Sequence, residues 1–269
     1  MMLKISVITP SFNQGAFINR CLESVRAQRG DFAVEHIILD NCSTDETVQA
    51  LTNYQSNHGD VELQIIIEKD GGQTAAINKG FSLATGDVIC WLNTDEWYEE
   101  GALVKVVNYL NEHPEADVVF GGCNFVDIIG RLIKQKNEFF YVQSMLVYYG
   151  CFIPSCATFI RRRVIDAGVF LDTSYRVSMD HEWYCKIAIN GFIFRPLKTI
   201  IANFTCHNTN LSSNTPLAKR HVEWNKTRLK YGGISFLPNN IRLKLFDLYQ
   251  WAWVIARVVY RTWFRIVRL

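Results

Sequence analysis

Four short polar clusters in the first hundred residues carry groups able to bind a ligand or do chemistry. They are TPSFNQG at 9–15, DNCSTDET at 40–47, EKDGGQ at 68–73 and LNTDEW at 92–97. Further along, Asp180 and Glu182 lie in SMDHEWYCKI (178–187), and His207 lies in TCHNTNLSS (205–213). Carboxylates accept hydrogen bonds from N–H groups, hold hard divalent cations through oxygen, and take protons from hydroxyls. Taken singly, each cluster reads as a turn, because Asp, Asn, Ser and Gly are ordinary turn and N-cap residues. Four of them at equivalent places in successive elements call for a shared purpose.

The elements that must position them are legible. Apolar runs at KISVIT (4–9), VEHIILD (34–40), VELQIIIE (61–68), DVICWLN (87–93) and DVVFGG (117–122) read as strands. Helical patterns near 16–28, 45–56, 73–84 and 100–112 alternate with them. Strands apolar on both faces, joined by helical crossovers, predict an α/β fold with a mostly parallel sheet flanked by helices. In such a sheet, ligands bind outside the carboxyl ends of the strands, and each of the four clusters follows a strand.

Composition narrows the class. A chain of 269 residues, 49% hydrophobic and 20% charged, buries a full core without disulfide or metal staples and is no disordered segment. A formal net charge of +2 argues against a generic nucleic-acid binder. The eight cysteines form no CxxC pair and show no zinc-ligand spacing, so reduced thiols in the cytoplasm are the plain expectation. The opening MMLKISVITP lacks the apolar core of a signal peptide. Residues 139–160 carry no Asp, Glu, Lys or Arg, but Gln143, Ser144, Gly150, Pro154 and Ser155 suit a buried loop and strand lining a pocket better than a membrane span.

Five blocks, in order, resemble the family 2 inverting glycosyltransferases of the GT-A (Rossmann-like) fold. They are VITPSFNQGAFINRCLESV, LDNCSTDETVQAL, IEKDGGQTAAINKGFSLATGDVICWLNTDE, PSCATFIRRRVIDAGVF and SMDHEWYCKIA, and the resemblance runs from about Ser6 to Leu211. It implies a nucleotide-sugar donor, most simply a UDP-sugar, with Asp40 accepting from the uracil edge. The alternative for Asp40 is a cap on the turn at Ser43. Pro10, Ser11 and Asn13 are implied in the same nucleotide pocket, and Asp70 with Gly71 in a close approach of backbone to nucleotide. LNTDE is similar to the family's DxD-type motif, which makes Asp95 a ligand of Mg²⁺ or Mn²⁺ and turns Asn93, where many relatives have Asp, toward ribose or diphosphate. For Glu96, a first-turn helix acid is an equal reading. His207 is placed near the metal or diphosphate, with a purely structural histidine as the alternative. Lys79 is either near the donor or a solvated surface lysine.

Asp180 matches the catalytic base that deprotonates an acceptor hydroxyl; Met179 stands where many relatives have Glu, leaving Glu182 as a lesser candidate. A helix N-cap at Asp180 is compatible with that role. Processive relatives carry a QxxRW-type motif that RHVEW (220–224) does not match, which favours single transfer.

The domain reading is a glycosyltransferase domain over 1–238 and a basic amphipathic helical tail over 239–269. The first divides into a nucleotide-sugar half (1–125) and an acceptor half (126–238). Residues 241–269 hold six basic residues against Asp247 and three of the seven tryptophans, while residues 1–240 carry 22 basic and 25 acidic residues. At ~100° per residue, Arg257, Arg261, Arg265 and Arg268 fall within an arc of about 80°. An Arg-striped, Trp-rich helix suits the interfacial plane of an anionic bilayer, with packing on the chain's own body or a second subunit as the alternative. The combined expectation is an inverting, divalent-metal-dependent transferase, peripheral on the cytoplasmic membrane face. Its acceptor is a glycan or lipid-linked hydroxyl, it binds no nucleic acid, and it is a possible homo-oligomer. A catalytically silent sugar-nucleotide-binding module is the first alternative and a nucleotidyltransferase the second.

Overall fold

The computed structural model describes residues 2–58, 62–137, 140–208, 210 and 214–267, except for the side chains of Arg257 and of 259–267. The arginine stripe of the tail, Val61 at the start of the third strand run and Leu211 at the end of the resemblance therefore lie outside the described residues.

The first half alternates strand and helix as expected: β1 (Leu3–Ser11), α1 (Gly15–Arg26), β2 (Phe32–Asp40), α2 (Thr47–Asn57), β3 (Glu62–Ile67), α3 (Gln73–Leu83) and β4 (Val88–Trp91). These strands pair in parallel in the order β3-β2-β1-β4. Seven consecutive residues of β1, Ile5 to Ser11, are buried, the mark of a strand covered on both faces. Helix α1 covers the sheet with Ile18, Cys21, Leu22 and Val25, an i, i+3, i+4, i+7 stripe. Helix α3 lies close against β1 because Gly80 has no side chain: a Cβ there would sit 2.4 Å from Ile8 Cγ2.

Beyond β4 the chain adds β5 (Glu96–Tyr98), α4 (Ala102–Glu112), β6 (Val118–Val126), β7 (Leu132–Lys136), α5 (Gln143–Tyr148), a 3₁₀ turn (Ser155–Ala157), β8 (Thr158–Arg161), α6 (Arg162–Asp166), α7 (Met179–Ile189), β9 (Phe194–Thr205), α8 (Leu217–Tyr231) and α9 (Asn239–Val267). The sheet continues as β4-β8-β6-β9-β5, with β7 on β6. Here the pairing becomes mixed: β8 runs antiparallel to β4 and β6, β5 to β9 and β7 to β6, while β6 and β9 are parallel. The uncharged stretch after 139 forms α5, the 3₁₀ turn and β8, largely buried.

The first turns of α9 dock on the body. Phe246 is buried against Gly232, the Arg242 guanidinium donates to the carbonyls of Leu229 (2.6 Å) and Gly233 (2.9 Å), and Asp247 pairs with buried Arg228 at 2.9 Å. Leu248, Trp251 and Ile255 stay exposed. Among the described residues, no helix is long and apolar enough to cross a membrane. All eight cysteines are free thiols.

Glu35 of β2 is the main buried ionic tie between the parallel strands and the α3–β4 connection. Its carboxylate accepts from the Ser6 hydroxyl, from Thr85 Oγ1 (2.7 Å) and from the Gly86 amide (3.0 Å), and it pairs with Lys4 at 3.2 Å. Burial alone raises a carboxyl pKa, but these partners outweigh it and bring Glu35 from 4.5 down to about 2. A carboxyl with a lower pKa in the folded than in the unfolded chain stabilises the fold above its unfolded pKa. That stabilisation is lost as pH falls from about 4.5 to about 2. Glu35→Gln is therefore expected to cost roughly 2 kcal/mol at neutral pH, about 4–8 °C in Tm, with the gap to wild type closing in melts taken toward pH 2.

Candidate functional site

The loops that follow β1 and β2 are fastened to each other. The Asn41 amide donates to the Ser11 carbonyl (2.9 Å), Asn13 N to Ser43 Oγ (2.8 Å), Thr44 N to Asn13 Oδ1 (2.8 Å), Gln14 N to Thr47 Oγ1 (2.9 Å) and Gly15 N to Asp45 Oδ2 (3.0 Å). This lock holds Asn13 (φ 52°) and Cys42 (φ 51°) in the left-handed region, which non-glycine residues occupy only when their surroundings fix them there. Asp40 takes part from inside: buried to 1% exposure, it accepts from the Ser43 amide (2.7 Å) and hydroxyl (2.6 Å). After β3, Gly72 adopts φ +101° at the N-terminus of α3, and its amide donates to Asp70 Oδ1 at 2.7 Å. The Asp70 amide in turn donates to Asn41 Oδ1 at 3.0 Å, which joins the third strand end to the second.

An acidic centre follows β4. Strand β5 pairs with β9 through Glu96↔Phe204, and this register places Asp95 beside Thr205, whose hydroxyl and amide both donate to the Asp95 carbonyl (2.5 and 3.2 Å). The chain after β9 then folds over the acid. His207 Nε2 lies 2.9 Å from Asp95 Oδ2, Asn210 Nδ2 donates to the same oxygen at 2.8 Å, and the His207 ring stacks on Phe17. Burial raises the pKa of Asp95 against the opposing pull of His207. Glu96 is fully buried and its pKa is raised well above the ordinary range, by burial and then by the neighbouring Asp95 charge. Its Oε2 accepts from the Asn93 amide at 2.8 Å, whereas its Oε1 has no hydrogen-bond partner among the described residues. Glu96 begins a strand, so the reading of it as a first-turn helix acid is corrected. Asn93 Oδ1 accepts from Gln73 Nε2 at 2.7 Å.

Asp180 sits at the start of α7. Its Oδ1 accepts from the His181 amide (2.7 Å) and its Oδ2 faces the Cys151 thiol (3.7 Å). The turn leading into this helix is held by Glu223 of α8, whose carboxylate accepts from three successive amides: Arg176 (2.9 Å), Val177 (3.0 Å) and Ser178 (2.8 Å). Glu182, the lesser base candidate, points elsewhere: buried, it binds Lys230 (2.8 Å) and the Tyr231 hydroxyl (2.5 Å). Met179 is buried and accepts from the Thr74 hydroxyl.

One cavity of about 930 Å³ joins these parts. Pro10, Ser11, Asn13, Asp70, Asn93, Asp95, Asp180 and His207 all line it. Asp40 and Gly71 do not; they border a separate cavity of about 190 Å³ that shares Asp70 and Ala76 with the first. At the end of β2 it is Asn41 that reaches the main wall. Lys79 pairs with Glu68 at the surface, while its neighbour Asn78 clamps the Leu171 backbone from both sides (2.9 and 3.0 Å). Sequence reasoning missed Asn41, Asn210 and Glu223, as well as the basic side chains of Lys134, Lys136 and Arg176 on the wall.

Against known proteins, the family model described as glycosyl transferase family 2 matches residues 6–176. The chain belongs to that family. A PGL/p-HBAD biosynthesis glycosyltransferase of Mycobacterium tuberculosis is 28% identical over 94% of this chain and 93% of its own length. An uncharacterized glycosyltransferase of Nostoc sp. is 24% identical over 96% and 88%. Among solved structures, S. aureus TarS 1–349 in complex with UDP-GlcNAc superposes with TM-score 0.70 at 19% identity, covering 91% of this chain and 71% of that one. The mannosyltransferase PcManGT from Pyrobaculum calidifontis, in complex with GDP-Man and Mn²⁺, gives TM-score 0.60 at 18% identity over 86% and 62%. The mixed sheet described above is thus the GT-A fold of this family.

Glu223 is a positioning group for the wall that carries Asp180. In this transferase, Glu223→Ala is expected to lower kcat about 10- to 100-fold by loosening that wall, with KM for the donor little changed. Glu223→Gln, which keeps the oxygen that accepts from Val177 and Ser178 but sets an NH2 against the Arg176 amide, should recover part of the loss. Equal kcat for wild type and Glu223→Ala would show that the turn holds its place without the carboxylate.

Proposed function

We propose that this family 2 glycosyltransferase moves a sugar from a UDP-sugar to an acceptor hydroxyl with inversion at the transferred carbon. The observation that carries the reading is that Asp180 and the Asp95–His207 pair line the same cavity. The cavity's size falls in the range of ligand sites, roughly 300–1,000 Å³. Relatives of the same fold are bound to UDP-GlcNAc and to GDP-Man, which supports a nucleotide-sugar donor here.

In this reading the nucleotide lies over the fastened loops after β1 and β2, against Pro10, Ser11, Asn13 and Asn41, with Asp70 beside them. Asn41, rather than the enclosed Asp40, offers the amide that reads the base edge. Asn93, oriented by Gln73, hydrogen-bonds the ribose or diphosphate. Lys134, Lys136 and Arg176 supply positive charge to the diphosphate side of the cavity. On the opposite wall, Asp180 accepts the acceptor hydroxyl proton while that oxygen attacks the sugar carbon from the face away from the leaving diphosphate. Met179 leaves Asp180 as the acid available for this step.

The residues present fit a divalent cation shared with the diphosphate. Asp95 and His207 offer an oxygen and a nitrogen on the cavity wall, and Glu96 behind them has an unpartnered oxygen and adds negative charge. Among the described residues no cluster of three acidic, His or Cys side chains forms an ion site, so Asp95 and His207 are the side chains that would hold the ion. When bound, Mn²⁺ or Mg²⁺ neutralises charge on the departing diphosphate. The eight free thiols support a reducing, cytoplasmic compartment. The exposed Leu248, Trp251 and Ile255 of α9 support attachment to a membrane surface, with a glycan or lipid-linked acceptor.

A donor screen that follows nucleoside diphosphate release tests the reading. UDP-sugars are expected to turn over, EDTA and Asp95→Ala to abolish release, and Asp180→Asn to slow transfer by roughly 10²–10⁴ while calorimetric UDP binding persists. Turnover indifferent to both EDTA and Asp95→Ala would remove the cation from the mechanism, and pyrophosphate as product would overturn the transferase chemistry proposed.

A further inference from the structure

Strands β6 and β7 project a hairpin whose surface runs against the usual pattern for an exposed sheet edge. Among the described residues β7 pairs with β6 alone, and such edges are ordinarily short, charged or covered. Here the tip carries four large aliphatic side chains within six residues: Ile128 and Ile129, each 61% exposed, and Leu132 and Ile133, each 58% exposed. The turn that presents them is tightly tied. Asp127 Oδ1 accepts from the Ile129 (3.1 Å) and Arg131 (2.8 Å) amides, and the Asp127 amide donates to the Arg131 carbonyl at 2.9 Å. Asp127 is the sole acid between 127 and 137, against three basic residues, Arg131, Lys134 and Lys136, so this segment is net positive. Side chains alternate along a strand, so Leu132 shares a face with Lys134 and Lys136, both of which line the main cavity. An apolar tip thus grades into a basic flank that ends in the cavity wall.

We propose that this hairpin is a membrane-docking element that inserts Ile128, Ile129, Leu132 and Ile133 into the headgroup region of an anionic bilayer. Docking there turns the cavity mouth toward lipid-linked acceptor. Charge selects this occupant over a second copy of the chain, because a symmetric pairing of hairpins would bring two sets of Arg131, Lys134 and Lys136 together. Aliphatic side chains backed by cations match acyl chains beneath anionic headgroups. The inference rests on the membrane part of the proposed function for its purpose, but it assigns a contact separate from α9.

The test is co-sedimentation of the full chain with phosphatidylcholine vesicles, with and without phosphatidylglycerol. It compares wild type, the double variant Ile128→Ser/Ile129→Ser, and the α9 variant Trp251→Ser/Ile255→Ser. Wild type is expected to prefer the anionic vesicles. The hairpin variant should lose about fivefold or more of that binding while keeping wild-type melting and donor turnover in vesicle-free solution. Binding undiminished in the hairpin variant but lost in the α9 variant would overturn this proposal and leave attachment through α9 standing. Failure of wild type to bind either vesicle would overturn both. A wild-type dimer that dissociates in the hairpin variant would show that a second copy covers the tip, which also overturns it.

Discussion

Asp95 and Glu96 are two consecutive carboxylates, the first half-buried on the cavity wall and the second fully buried, and the end of β9 with the chain after it is arranged around them. Burying such a charge is costly without partners: burial raises the pKa of both acids, and the Asp95 charge raises that of Glu96 further. The partners come from far along the chain. Strand β9 runs parallel to β6 and antiparallel to β5, and it delivers Thr205 to the Asp95 carbonyl and His207 and Asn210 to its carboxylate. The mixed pairing beyond β4 follows from that requirement: an all-parallel continuation would carry the end of each new strand to the same edge, but would not lay β9 back along the short β5. The oxygen of Glu96 left without a partner is the remainder of this electrostatic cost, directly behind the cavity wall.

The other wall is built on a different principle. The loops after β1, β2 and β3 are short of apolar residues and are held by amide-to-side-chain hydrogen bonds, with two residues in left-handed backbone. Such bonds are directional, so a loop fixed by five of them presents its backbone in one arrangement where a merely packed loop would slide. Asp40 belongs to this scaffold. Its carboxylate is satisfied by Ser43, and what it contributes to the cavity is the placement of Asn41 rather than its own charge.

How much of this was legible in the sequence depends on how far apart the interacting residues lie. Strands β1 to β4 and their crossovers were readable because buried parallel strands must be continuous apolar runs. The polar clusters at their ends hold six of the eight candidate residues that the fold collects into one cavity; Asp180 and His207 come from later in the chain. Asp40 borders the smaller cavity beside the main one, and residue type and strand-end position alone do not say which of two adjacent side chains faces which cavity. Asn210 could not be found from spacing, because its contact with Asp95 spans 115 positions and exists only through the β5–β9 register. Glu223 lies inside RHVEW, a string that does not match the processive motif and carries no other local signal. No local pattern tells that a carboxylate in a solvated helix will cradle three amides 45 to 47 residues earlier. Strand β9 itself, FRPLKTIIANFT, carries a proline and a lysine within its run and lacks the clean alternation that marks a strand.

Helix α8 shows how the two ends of the molecule constrain each other. Glu223 on this helix holds the turn before Asp180. One turn and a half later, Arg228 is buried, with Asp247 and Gln250 of α9 and the Tyr148 carbonyl as its partners. Lys230 and Tyr231, at its end, close on Glu182 within α7. Arg228 is buried although Asp247 is exposed, so loss of these partners would leave its guanidinium charge enclosed and uncompensated. The base of α9 is therefore fixed to the same rigid element that fixes the Asp180 wall. The start of α9 is thus tied to α8 by the Arg228 guanidinium, which is itself buried, and through α8 to the turn before Asp180.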